Sequence, residues 1–142
     1  MRCLIITGGT IQTEFAIKYI KERTWDYVVC ADAGMKFCHE AGIMPNLILG
    51  DFDSVDGESY FQKVCLERME RFPTHKDETD TELALLRAID AGADAITMIG
   101  ATGTRLDHVM GNIQMLKLAL DRKVSCQIVD AHNRIRMVDK FA

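Results

Sequence analysis

What most constrains this chain is a repeating alternation of two kinds of segment. Short apolar runs, RCLIIT (2–7), YVVCA (27–31), LIL (47–49), AITMIG (95–100) and CQIVD (126–130), are mostly rich in β-branched residues, and each gives way to a small or polar turn. Apolar residues at consecutive rather than alternate positions fit strands that are buried on both faces. Between them, apolar residues recur at helical spacing in IQTEFAIKYIKE (11–22), GMKFCHEA (34–41), ESYFQKVCLERME (58–70), TELALLRAIDAG (81–92) and DHVMGNIQMLKLALD (107–121). Strand and helix in alternation predict an α/β fold. The expected form is a doubly wound, mostly parallel sheet with helices on both faces, Rossmann-like in kind. At 142 residues, 48% hydrophobic and 27% charged, the chain is expected to form a single domain over 1–142 with a core of its own.

Charge and cysteine usage narrow the class. Seventeen basic residues against twenty-one acidic ones give a net charge of -4, which argues against a nucleic-acid surface. No stretch has the apolar length of a membrane span, and MRCLIITGG turns polar too soon for a secretory signal, so a cytoplasmic location is expected. Cys3, Cys30, Cys38, Cys65 and Cys126 are odd in number, lack C-x-x-C spacing and lie mostly in apolar segments. They read as small core residues in a reducing compartment. No histidine among His39, His75, His108 and His132 clusters with them in sequence, which argues against a zinc site.

In sheets of this kind ligands bind outside the carboxyl ends of the strands, where loops and helix N-termini converge. The polar residues of this chain fall there: Asp32 after YVVCA, GDFDS (50–54) after LIL, and ATGTRLDH (101–108) with Arg105, Asp107 and His108 after AITMIG. Asp51 and Asp53, two residues apart, would project to the same side of an extended backbone, where like charges need solvent, a backbone cap or a cation to compensate them. An Asx-type turn leading into a helix would also produce GDFDS, with Ser54 as a helix cap or a phosphate donor. Thr79 and Glu82 have capping-box spacing, which puts Asp80 in the first turn of a helix, where a carboxylate favours the dipole. Asp32, Asp51, Asp53, Asp80 and Asp107 along one sheet edge form a costly cluster unless paired, and hard oxygen ligands of this type suit magnesium bridging to substrate phosphates. Lys76 and Arg105 would then face the phosphate oxygens, with a solvated surface charge as the alternative for each. His108 is read as a helix-start histidine held by a hydrogen bond rather than as an acid or base. TGGT (7–10) is either an anion-binding turn or a tight turn that needs its glycines. Neither the P-loop nor the dinucleotide glycine motif is present.

ADAG (31–34), GDFDS (50–54), KDETDTELAL (76–85) and GATGTRLDHVMGNI (100–113), in this order and at these separations, resemble the N-terminal catalytic domain of the bacterial thiamine pyrophosphokinase family over essentially the whole chain. The resemblance implies transfer of a diphosphoryl group from ATP to the hydroxyl of thiamine, giving thiamine diphosphate and AMP. It implies that Asp51, Asp53 and Asp80 hold Mg2+ on the triphosphate. It further implies that Ser54, Lys76, Thr102, Arg105, Asp107 and His108 line the nucleotide and substrate site, with Asp32 on the thiamine side. The family chain continues into a β-rich domain that helps bind thiamine across a homodimer, and RIRMV (134–138) is expected to be a strand leading towards it. This chain is accordingly expected to be a catalytic-domain fragment or a natural truncation. One position departs from the family pattern: Thr104 follows Gly103 where a second glycine is usual, so the loop is expected to sit further from the phosphates. Two other readings stand beside this one, a diphosphokinase acting on a hydroxymethyl pterin and an ATP-binding module without turnover.

Overall fold

The computed structural model describes residues 1–31, 34–50, 69–71 and 80–138. Among them, strands β1 (Arg2–Ile6), β2 (Tyr27–Ala31), β3 (Leu47–Gly50), β4 (Met69–Arg71), β5 (Ala95–Ile99), β6 (Ser125–Val129) and β7 (Arg134–Arg136) form one sheet in the order β4-β3-β2-β1-β5-β6-β7. Helices α1 (Thr13–Lys21), α2 (Gly34–Ala41), α3 (Asp80–Asp90) and α4 (Leu106–Asp121) connect them. Every pairing is parallel except that of β6 with β7, which is antiparallel and closes one edge. The chain therefore runs outward from β1 through β4, returns to β5 on the other side of β1, and runs outward again. The direction reverses between β1 and β5.

The strands are apolar at consecutive positions because both faces are covered. In β1, Cys3 and Ile5 join Ala84, Leu85 and Ala88 of α3 and Leu116 and Ala119 of α4, while Leu4 and Ile6 join Ala16 and Ile20 of α1 and Phe37 and Cys38 of α2. Alternate side chains point to opposite faces, so one five-residue run serves two cores. Ala84 and Ala88, one turn apart and fully buried, present small side chains to the sheet and let α3 lie close to it. Cys3, Cys30, Cys38 and Cys126 are all buried. Burial pushes Cys3 and Cys126 up to about 12, so they pack as neutral residues, as their apolar settings suggest. Cys65 lies outside the described residues.

One element departs from expectation. Residues 58–68 of the segment whose spacing predicted a helix lie outside the described residues, but its last two, Met69 and Glu70, belong to β4, which pairs Ile48 with Met69 and Leu49 with Glu70. Three residues, two of them charged, are too few to show a strand period, whereas ladder hydrogen bonds to an existing strand form without one. RIRMV supplies β7 over its first three residues, as an antiparallel edge strand. No helix among the described residues is long and apolar enough to cross a membrane.

Candidate functional site

The crevice lies where the strand order reverses. β1 and β5 continue to pair beyond their ends: Thr7 N–H donates to Ile99 O at 2.9 Å, Gly9 N–H to Gly100 O at 2.6 Å and Thr10 N–H to Thr102 O at 2.9 Å. These bonds knit TGGT to the loop after β5 and form the floor of an opening of about 750 Å³. They also decide how TGGT works. A Cβ at Gly9 would run into the carbonyl oxygens of Gly100 and Thr102, and Gly100 adopts φ +83° with no room for a Cβ beside Thr7 O. The glycines are there for close approach of two backbones, and the amides of Gly9 and Thr10 are already bonded.

The walls come from helix starts. Thr81, in the first turn of α3, shares a buried hydrogen bond of 3.0 Å with the Thr7 hydroxyl, which ties that helix to the end of β1. Helix α3 begins at Asp80, so this residue has the helical position that the Thr79/Glu82 spacing predicted; Thr79 lies outside the described residues. On the other side, α4 starts after Arg105, whose backbone is extended at φ -92° and ψ 102° and whose side chain makes no cap. Arg105 thus offers no side-chain partner to the first amides of α4 at the rim, where the helix dipole favours an anion.

Arg105 and Asp107 form a fork, with Nε to Oδ1 at 3.3 Å and a guanidinium nitrogen to Oδ2 at 2.7 Å. The hydrogen bond from Arg105 holds the Asp107 carboxyl below the usual carboxylate range. Both side chains are about two-thirds exposed, at 66% and 63%, so the pair is oriented at the mouth and is not buried in the floor. His108 lines the same opening. Its side chain is exposed at the helix start. Thr104 is exposed, and Lys123 is the one non-glycine at positive φ among the described residues, so position 104 does not need a glycine backbone.

Thr102 lines the crevice and gives its hydroxyl to Asp130 Oδ2 at 2.9 Å. Asn112, from the second turn of α4, donates to Ala101 O at 2.8 Å and holds the loop from the other side. Neither Asp130 nor the Thr7–Thr81 pair stood out in the sequence. Asp130 had a signal, an Asp three residues before Asn133 at the end of an apolar run, which is an Asx-turn pattern. The threonine pair had none, since the two residues are 74 apart. Asp32, Asp51, Asp53, Ser54 and Lys76 lie outside the described residues. Ala31, which precedes Asp32, lines the crevice, and Gly50, which precedes Asp51, ends β3 at the same edge of the sheet. Among the described residues no group of three or more His, Cys, Asp or Glu is placed to hold a metal ion.

Residues 18–129 match the family described as thiamin pyrophosphokinase, catalytic domain. A curated relative, thiamine pyrophosphokinase of Bacillus subtilis, is 35% identical over 107 residues, 75% of this chain and 50% of its own length. The chain thus spans about half the length of that relative. The crystal structure of thiamine pyrophosphokinase from Bacillus subtilis superposes with a TM-score of 0.82 at 28% identity, covering 96% of this chain and 63% of that one. A thiamin pyrophosphokinase family protein from Enterococcus faecalis superposes at 0.73 with 32% identity, over 96% and 64% of the two chains.

Proposed function

From the premise that the chain belongs to the thiamin pyrophosphokinase catalytic-domain family, we propose that it binds ATP in the crevice between β1 and β5 and transfers its terminal diphosphoryl group to the hydroxyl of thiamine. The products are thiamine diphosphate and AMP. The observation that carries this reading is the crevice at the strand-order reversal, with the uncapped start of α4 and the Arg105–Asp107 fork at its mouth. The same reversal, with helices on both faces, supports a doubly wound, Rossmann-like arrangement.

Transfer of this type needs little covalent work from a protein: it needs alignment of nucleophile with leaving group and neutralisation of charge. Arg105 and the α4 amides supply positive potential towards the phosphates. Asp107 fixes the guanidinium plane, and Thr102 and His108 line the opening. Asp51, Asp53 and Asp80 would hold Mg2+. Their carboxylate oxygens are the hard donors that this ion takes, and Gly50 and Thr81, their neighbours in sequence, lie at the carboxyl edge of the sheet and in the crevice wall. Bound there, the ion would neutralise charge on the triphosphate. Ser54 and Lys76 would add phosphate contacts, and Asp32 would serve the acceptor side, as the family resemblance implies. A homodimer and a cytoplasmic location complete the proposal.

The test is to incubate the chain with ATP, magnesium and thiamine and to resolve products by chromatography. AMP and thiamine diphosphate in equal amounts are expected, and Asp53→Asn should weaken magnesium-dependent binding of a non-hydrolysable ATP analogue while leaving the fold intact. AMP formed with a hydroxymethyl pterin and not with thiamine would change the acceptor. Because the chain spans 50% of its curated relative, a second reading is a magnesium–ATP binding unit. Analogue binding with no AMP from either acceptor would select it.

A further inference from the structure

We propose that Asp130 is a positioning residue that holds Thr102, and with it the loop of residues 100–104, in place on the floor of the crevice. Asp130 lies just beyond the stretch matched to the family, which ends at residue 129. Its two carboxylate oxygens divide their work. Oδ1 closes the turn between β6 and β7 by accepting from His132 N–H at 2.8 Å, Asn133 N–H at 2.7 Å and Asn133 Nδ2 at 3.1 Å. Oδ2 accepts from Asn133 Nδ2 at 3.3 Å and reaches back across the sheet edge to the Thr102 hydroxyl at 2.9 Å. Thr102 O in turn accepts from Thr10 N–H at 2.9 Å, and a Cβ at the next residue, Gly103, would stand 2.9 Å from Thr10 Oγ1. A shift of Thr102 is therefore felt at once in the TGGT loop. One carboxylate joins three loops.

A negative charge near a phosphate site would by itself repel the ligand. Here both oxygens are occupied by donors, so the group acts through Thr102 and not by contact. An acceptor with several lone pairs is what this junction requires, since alanine leaves every one of those donors open. The consequence for ligand affinity rests on the nucleotide reading above; the positioning itself does not.

The experiment compares wild type, Asp130→Ala, Asp130→Asn and Asn133→Ala by hydrogen exchange at Thr10 N–H without ligand, and by titration with magnesium and a non-hydrolysable ATP analogue. Asp130→Ala is expected to speed exchange at Thr10 and to weaken the analogue about tenfold. Asp130→Asn, whose amide still bonds the threonine hydroxyl, and Asn133→Ala, which trims the turn but leaves the Thr102 bond, are expected to stay within about threefold. If Asp130→Ala does not fold, Thr102→Val breaks the same bond from the other side, and Thr102→Ser should restore wild-type exchange. Unchanged exchange at Thr10 in Asp130→Ala, or an equal effect of Asn133→Ala, overturns the proposal. A wild-type chain that ignores the analogue while Asp130→Ala still speeds exchange refutes the nucleotide reading and leaves the positioning role standing.

Discussion

The two ends of the sheet are built on opposite plans. At the amino ends of the strands, the residue before a strand plugs its neighbour with both backbone and side chain. Asp26 donates its N–H to Arg2 O and accepts Arg2 N–H on Oδ2 at 2.8 Å. Asn46 does the same to Val28, with its Oδ1 at 2.8 Å, and Asp94 does so to Met1, whose ammonium it meets at 2.8 Å. Helices α2, α3 and α4 also finish at this end, each in a Schellman pattern: Ile43 N–H to Cys38 O, Ala93 N–H to Ala88 O and Val124 N–H to Ala119 O. At the carboxyl ends, by contrast, α1 and α4 start behind Gln12 and Arg105 with no side-chain cap, and glycines bring backbones together. One end satisfies its polar groups internally, and the other leaves donors for a ligand. Binding capacity follows from which groups are left unsatisfied, not from the sheet itself.

The largest effect is expected from Gly100→Ala. The position needs φ +83° and has Thr7 O where the Cβ would go, so the two knitted loops must part. A loss of about 3 kcal/mol in urea unfolding is expected, together with loss of ATP-analogue binding. A variant that keeps both would mean that the loops are not the rigid floor described.

Asp26→Ala and Asn46→Ala test the other end. Each removes one side-chain acceptor from a strand start, and each should cost about 1 kcal/mol with nucleotide affinity unchanged. An affinity change in either would break the division between a closed end and an open one. Lys123→Gly sharpens it in the opposite sense. Lys123 sits at φ 61° at the close of α4, where the other two helix ends have Gly42 and Gly92, so glycine there should add about 0.5–1 kcal/mol and again leave affinity alone.

Much of this contrast could be read in the chain before its fold was known. The five apolar runs became strands, and the spacing of apolar residues located α1 to α4, because burial on both faces and on one helix stripe leaves a periodic trace. What left no trace was contact between distant residues: the Thr7–Thr81 bond, the reach of Asp130 to Thr102, and the pairing of β4, whose three residues carry no period. The role of Gly9 was also hidden, since a glycine for an anion and a glycine for a second backbone look alike in sequence. Asp51 and Asp53 remain readings of sequence.

The smallest expected effect concerns acid. Asp94 and Asp130 cap opposite ends of the sheet, and both carboxyls lie below the ordinary value of 3.8. The hydrogen bond and charge of the Met1 ammonium lower Asp94. For Asp130, burial acts to raise the value, and the bonds from His132, Thr102 and Asn133 together outweigh it. A lowered folded-state pKa means that each contribution is complete above 3.8 and is lost as pH falls through the lower folded value. The two should part in salt. Asp94 is exposed and depends on an ion pair, so its NMR titration should move back towards 3.8 at high ionic strength. Asp130 is held by short hydrogen bonds from uncharged donors, so its midpoint should stay where it is. Equal salt sensitivity would show that the Asp130 junction is an exposed electrostatic contact, and the ordered character assigned to the carboxyl end would fail at that point.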